Sequence, residues 1–490
     1  MTSTTLTYPL RAAWRRSGGV LRGILGVCSL AIFTIVVMAL VGVSTDSLGL
    51  FLWCSIFLTA LWLARPLSGS ALAGERESVL LANLVIWMFL MISEAIFVHN
   101  QSTASAAQGG AEAGAIYQAY SWILSFFVLA FISCFRPAYL RRLFAGPLKW
   151  ASIFVIVAVL SCPLSKKPLY SAALAFKLCL IVLVLCAIGE AIKDEAGIFK
   201  LFAALFLGTF ITVSADLIAP FLGSGPIFDP QTGRFGAMVG LSGICGILLL
   251  LSVLFLWLKK NLWFLLCGLY SVLVMMLAGT KGGIVASFVS LMMFFVLLKR
   301  PAQALAASLG FAVIFALCIA FTPLGQSLEK YTEAGHAGTI TGRTNLWAAA
   351  WPEIKAHPML GNGYRASRFL SEDVPGAFKE AGNMHNSFLE VLYNNGLAGL
   401  VPIVAINVLI VVNLTGILIR PPTVQLRYYA AAAFALYTHL FVWGLVAATF
   451  GGAPDNRFMT LFAVLLISMF LRGQSDKKYW NTIYGAPSSR

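Results

Sequence analysis

Charge is what this chain has least of. Of its 490 residues only 11% are Asp, Glu, Lys or Arg, against roughly a quarter in soluble globular proteins, and that excludes an ordinary soluble domain. Room on one side is also missing. Wherever basic residues interrupt the apolar blocks the interval is no longer than about 20 residues, too short for a nucleotide-binding domain or a P-loop. Metal ligands are sparse as well: the five histidines show no HxxxH spacing, and no Asp-x-Asp phrase accompanies them, so no metal site is expected. Nine cysteines lie inside apolar blocks without CxxC spacing; they read as small packing residues, and the longest loop has none to form a disulfide framework. No internal repeat is visible, which weighs against an inverted-repeat transporter.

What the chain has instead is apolar length. It is 59% hydrophobic with a mean hydropathy of +0.87. Blocks near the roughly 20 residues that cross a 30 Å hydrocarbon core recur at 23–43, 48–64, 79–98, 116–135, 150–164, 169–190, 198–220, 237–257, 262–278, 284–298, 304–322, 397–418, 428–449 and 458–471. The expectation is an all-α polytopic transmembrane bundle of about 12–14 spans. The run at 23–43 follows Arg11, Arg15, Arg16 and Arg22 but is too long for a signal h-region and lacks a small-x-small site, so it reads as a retained first helix.

The net charge of +15 is topological. Arg136, Arg141, Arg142 and Lys149, then Lys259 and Lys260, Lys299 and Arg300, Arg420 and Arg427, and Arg472, Lys477 and Lys478 fall in alternate intervals with the basic N-terminus. The positive-inside rule puts all of them, and both termini, in the cytoplasm. No nucleic-acid partner is implied, because the outer intervals are nearly balanced in charge. The chain divides into N-terminal helices (1–149), central helices (150–322), one large outer loop (323–396), C-terminal helices (397–472) and a tail (473–490).

That loop is the only long polar interval, and long loops are commonly functional. It contains Gly342–Tyr364, GRTNLWAAAWPEIKAHPMLGNGY, and Asn383–Leu400, NMHNSFLEVLYNNGLAGL. Trp347, Trp351 and Ile354 recur as one helix stripe, one that lies on the membrane surface or caps the bundle; Phe388, Leu389 and Leu392 suggest a second helix ended by Asn395-Gly396; His357-Pro358 and Gly361-Asn362-Gly363 mark turns.

Arg234, Lys281 and Arg343 are cations at outer helix ends, where guanidinium and ammonium groups suit a lipid pyrophosphate; that each only snorkels or pairs with an acid stays open. His385, beside Asn386, suits proton acceptance from a hydroxyl at neutral pH, with a capping or packing role as the alternative. Glu390 shares its face or is a solvated helix residue. Asp216 and Lys177 pair with each other or support the site. Glu94 and His439 read as structural, and His99, His336 and His357 as exposed loop residues.

Taken together, the many helices, the large loop in the C-terminal half, the ordered Arg343, Trp347, Ile354, Pro358, Gly361 and Gly363, and the following His385-Asn386 with Gly396-x-x-Gly399 resemble the O-antigen ligase and polysaccharide polymerase superfamily of bacterial inner-membrane glycosyltransferases. The resemblance implies a periplasmic loop and active site, and metal-independent, inverting transfer of a glycan from undecaprenyl pyrophosphate to an acceptor hydroxyl, without a cofactor. Arg343 and His385 match its motif positions, Arg234 its arginine before a central helix, and Lys281 a tip where many members carry Ser-Arg. Partners implied are the lipid-linked glycan, a glycan or lipid A core acceptor, membrane lipids and a chain-length regulator protein. A polymerase is favoured over a ligase, and a lipid-linked glycan flippase is the competing class.

Overall fold

The computed structural model describes residues 72–97, 122, 125, 143–144, 146–218, 228–229, 234–235, 240–321, 343–370 and 383–484. The apolar blocks at 23–43 and 48–64, most of 116–135, His99 and His336 lie outside these residues, as does the side chain of Glu94. Twelve α-helices are present among the described residues: α1 Leu72–Phe97, α2 Leu148–Ser161, α3 Pro168–Ala191, α4 Glu195–Ile218, α5 Leu241–Lys259, α6 Leu262–Ala278, α7 Lys281–Leu297, α8 Pro301–Phe321, α9 Arg343–Ala356, α10 Ser387–Ile419, α11 Val424–Gly444 and α12 Asn456–Tyr484. Five of them, α3, α4, α5, α10 and the Asn456–Asp476 part of α12, are long and apolar enough to cross a membrane. With five shorter apolar helices beside them, they make an all-α integral membrane bundle. The only strands among the described residues are β1 (Phe228–Asp229) and β2 (Arg234–Phe235), an antiparallel two-residue ladder.

The bundle is assembled by neighbours in sequence and by contacts that α10 makes with helices distant in sequence. α5 packs on α6 and α7, α1 on α3 and α4, and α11 on α5, α7 and α12, while α10 meets α2, α11 and α12. Chain reversals are sealed locally: Asn261 caps α6 by accepting from Trp263 N at 3.0 Å, and Thr423 caps α11 by accepting from Leu426 N at 3.1 Å, each satisfying a helix-end N–H without an intrahelical partner.

The basic pairs collect at one end. Arg427 donates to Leu297 O at 2.8 Å, Arg300 lies over Trp257, Lys259 lies over Phe199, and Gln474 reaches Lys193 O. At the opposite end, the crown, the starts of α5, α7, α10 and α12 meet the end of α11. Among the described residues, the basic positions read from sequence at Lys259, Arg300 and Arg427 thus share one end of the bundle.

α10 is not one continuous helix. Gly396 breaks it with φ 61 and ψ −161, in the region of backbone space that is essentially glycine's own. The break frees backbone groups inside an apolar helix, where unpaired polar groups cost several kcal/mol each. Residues 358–363 satisfy them. Asn362 N and Gly363 N donate to Tyr393 O and Asn394 O at 2.9 and 3.0 Å, while Leu397 N and Ala398 N donate to Pro358 O and Met359 O at 2.8 and 3.0 Å. The two polar phrases of the long loop are thus one joint, a plug hydrogen-bonded into a broken helix.

A Cβ at Gly396 would overlap the Met359 carbonyl, and the conformation itself costs a non-glycine residue about 1–3 kcal/mol. Gly396→Ala is expected to lower the melting temperature measured with a thiol-reactive dye, which reports exposure of buried thiols such as Cys186 and Cys245. Gly473→Ala, at a position with nothing within 4 Å of the added carbon, should leave it unchanged.

Candidate functional site

α9 begins at Arg343 and lies against the first half of α10. Its buried face is Leu346, Ala350 and Ile354, which pack with Met384, Leu389, Leu392 and Tyr393. Of the stripe expected from Trp347, Trp351 and Ile354, Ile354 lies in this contact, Trp347 flanks it, and Trp351 is 47% exposed. Two tryptophans one turn apart outweighed the small Ala350, yet only a small residue lets two helices meet this closely.

His385 stands just before α10 and is half-buried. Its backbone is left-handed, φ 50, uncommon for a residue with a side chain. Several bonds hold it there. His385 N donates to Asn383 Oδ1 at 2.8 Å; the preceding residue is held by both of its backbone groups, with Met384 N donating to Glu390 Oε2 at 2.7 Å and Trp347 Nε1 donating to Met384 O at 2.7 Å. Asn386 then caps α10, its Oδ1 accepting from Phe388 N and Leu389 N at 3.0 and 3.1 Å, while its Nδ2 donates to Leu445 O at 3.2 Å.

Arg343 is close enough to act on the imidazole. Burial, and then the positive charge of Arg343, lower the His385 pKa to about 4. The ring is neutral at pH 7, with a nitrogen lone pair available. The two motif residues singled out in the sequence, 42 positions apart by numbering, are brought together by the packing of α9 on α10.

Glu390 is fully buried, which overturns the alternative of a solvated helix residue. Its Oε1 accepts from Ser367 Oγ at 2.5 Å, from Arg365 Nη1 at 3.3 Å and from Asn394 Nδ2 at 3.2 Å, leaving Oε2 for Met384 N. Burial opposes charge on Arg365, but the Glu390 carboxylate more than offsets it, and the guanidinium is held above its ordinary value. Sequence reasoning missed Arg365. It is one of three arginines in the loop, and its only signal is its place two residues after the Gly361-x-Gly363 turn, with φ 65 of its own.

Lys281 opens α7 and is exposed. The next residue, Gly282, lies against Val446 and Trp443, and the same turn holds Asn386 through Leu445 O. Lys281 and His385 therefore flank one turn, residues 443–446, at the crown. Ser242 Oγ donates to Thr280 O at 3.4 Å, tying in the start of α5. β2, which carries Arg234 in its backbone, packs on α6, the helix leading through Gly279 and Thr280 to Lys281.

A second cation missed in the sequence, Arg457, lies 5.0 Å from the Trp443 ring centroid and is paired with Asp455 through Nε–H donation at 2.5 Å. Asp216 and Lys177 are placed by other contacts. Lys177 Nζ is 5.7 Å from the Trp122 ring centroid, and Asp216 acts electrostatically on Tyr270 and Cys245. His439 is buried, with Nε2 2.8 Å from Gly243 O, as a structural histidine should be, and His357 is exposed. Among the described residues no three His, Cys, Asp or Glu side chains gather as a metal site.

The crown so built offers a cation at a helix N-terminus, which favours an anion through the aligned peptide dipoles as well as the guanidinium. Beside it stands a neutral imidazole on a firmly held backbone. Such a pair suits the displacement of an anionic leaving group by a hydroxyl. Residues 266–404 match the family model described as O-antigen ligase; that stretch contains Lys281, Arg343, Arg365, His385 and Glu390 and leaves Arg234 and Arg457 outside it. No curated protein matches the chain.

Proposed function

We propose that the chain, of which residues 266–404 match the O-antigen ligase family model, is a membrane glycosyltransferase of the O-antigen ligase and polysaccharide polymerase superfamily that polymerises oligosaccharide repeat units carried on undecaprenyl pyrophosphate at the periplasmic face of a bacterial inner membrane. The observation that carries this reading is the placing of Arg343 beside a neutral His385. An acceptor hydroxyl attacks the anomeric carbon in line and inverts it. The new C–O bond forms as the bond to pyrophosphate breaks, the hydroxyl proton passes to His385, and undecaprenyl pyrophosphate leaves with the electron pair. Arg343, with Arg234 and Lys281, stabilises the charge that develops on the leaving group. No metal ion takes part in this reading.

The pKa of His385 gives the reaction an order. With the site empty, Arg343 and burial keep the imidazole a weak base. A pyrophosphate that neutralises Arg343 removes one of those two causes and raises the basicity. The base is strengthened by the donor it serves.

The sign of the pH effect follows. Lowered basicity keeps His385 unprotonated down to about pH 4 in the free enzyme, so kcat/KM should keep its value well below the usual histidine range and fall only as pH approaches about 4. The limb in kcat, which reports the donor-bound enzyme, should lie at higher pH. Initial rates from pH 4 to 8 check this; coincident limbs near about 6.5, the unperturbed histidine value, would contradict it.

The reading as a whole is tested in membranes supplied with purified lipid-linked donor. Arg343→Ala is expected to slow transfer by about 10²–10³-fold, as loss of one preorganised donor does. Unchanged transfer sinks the site assignment, and wild-type membranes that move lipid without transferring glycan establish a flippase instead. A deletion strain separates polymerase from ligase: single units retained without long chains mean polymerisation, and loss of all attached chains means ligation to a lipid A core.

A further inference from the structure

The lipid-facing stripes of α2 and α10 do not stop where the helices do. On α10, Leu397 and Val401 are exposed, and on α2, Leu160. Directly beyond them Met359, in non-helical backbone, is 61% exposed and Leu169, in the first turn of α3, is 88% exposed, with Leu164 and Leu360 also turned outward. These residues form one surface. Leu397 and Ala398 are hydrogen-bonded to Pro358 and Met359, and Gly363 lies against the backbone of Leu164 and Ser165.

Irregular backbone is normally excluded from lipid because its carbonyls lack partners. Here they have them. His357 O accepts from Gly361 N at 3.0 Å, Pro358 O from Leu397 N at 2.8 Å and Met359 O from Ala398 N at 3.0 Å. The turn can touch hydrocarbon at little polar cost. Beside it Lys166 and Lys167 are exposed, with Lys167 Nζ 4.5 Å from the Phe369 ring centroid. The half-exposed Trp351 and Tyr170 are the side chains that favour the bilayer–water boundary.

We infer that the turn at residues 357–360, with Leu164 and Leu169 beside it, is a bilayer-interface anchor whose Lys166–Lys167 pair takes the phosphates of anionic lipid headgroups. The occupant is the bilayer surface, because the patch is continuous with the stripes by which α2 and α10 already face lipid. The anchor needs only that the bundle is in a membrane, and does not rest on the glycosyl-transfer reading. It fixes the depth of the α9 and α10 joint, and so the level at which Arg343 and His385 stand.

The test uses the full chain in nanodiscs of phosphatidylcholine, with and without phosphatidylglycerol. Spin labels are placed by Met359→Cys and, for comparison, by Glu353→Cys on the exposed side of α9, with the signal of the identically treated unsubstituted chain subtracted. The Met359 label is expected to meet dissolved oxygen more often than a water-soluble nickel chelate, at about 5–10 Å below the headgroups, and the Glu353 label to show the reverse. Phosphatidylglycerol should deepen the Met359 label, and Lys166→Gln with Lys167→Gln should abolish that effect. A Met359 label as water-exposed as that at Glu353 overturns the anchor, and a depth indifferent to phosphatidylglycerol overturns the headgroup role of the lysines. A free pyrophosphate site would instead show as a label released by added inorganic pyrophosphate in lipid of either composition, and that too would refute the proposal.

Discussion

Arg365→Met is expected to destabilise the protein by about 3–5 kcal/mol, the usual cost of leaving one partner of a buried ion pair uncompensated. The guanidinium is 8% exposed and the Glu390 carboxylate not at all. Without Arg365 the carboxylate keeps only neutral donors: Ser367, Asn394 and the Met384 N–H. The thiol-reactive melt should show a large fall. The double variant Arg365→Met with Glu390→Gln should recover part of it, because removing both charges removes the uncompensated one. If the double variant is no more stable than the single, the pair matters for shape and not for charge. Transfer should fall as well in the single variant, since Glu390 holds the backbone N–H of Met384, the residue before His385.

The second large effect is at His385 itself. Loss of a positioned base costs about 10²–10⁴-fold in rate. His385→Asn is the cleaner variant, because asparagine tolerates the left-handed backbone that His385 adopts and the fold should survive. Expected are a melting temperature close to wild type and donor transfer reduced to that extent, with the acid limb of kcat/KM gone. Transfer at the original rate would show that the cations alone carry the reaction, pyrophosphate being a competent leaving group already. Trp347→Phe removes one of the bonds to Met384 and should lower transfer by less.

Much of this was readable from the chain. Long apolar runs specify spanning helices because backbone polar groups must be satisfied within the segment, and α2 to α8 and α10 to α12 fall where such runs do. Arg343 and His385 stood out because polar residues are rare enough in this sequence for an ordered set to be visible. What was not readable depends on partners that meet only in three dimensions. Arg365 looks like its neighbour Arg368, yet one is buried on Glu390 and the other exposed, a difference made by the plug at 358–363. Glu390 could be read as solvated because a single acid one turn into a helix usually is. The contact face of α9 was not readable either, because it runs through the small Ala350 and leaves Trp351 exposed.

The broken helix has a consequence for how the protein is made. Its plug is synthesised before its socket: Asn362 precedes its acceptor Tyr393 by 31 residues, so the segment that completes α10 has already emerged when α10 follows. Closing a loop of that length costs about 3 kcal/mol beyond a constant term, less than four backbone groups would cost if left unpaired in hydrocarbon. A ribosome-bound chain that pauses between plug and socket therefore has half of a joint and no stable way to finish it. Membrane insertion of α10 and assembly of the crown become one event, and a chain whose α10 has entered the bilayer correctly has, by the same act, set Arg343 beside His385.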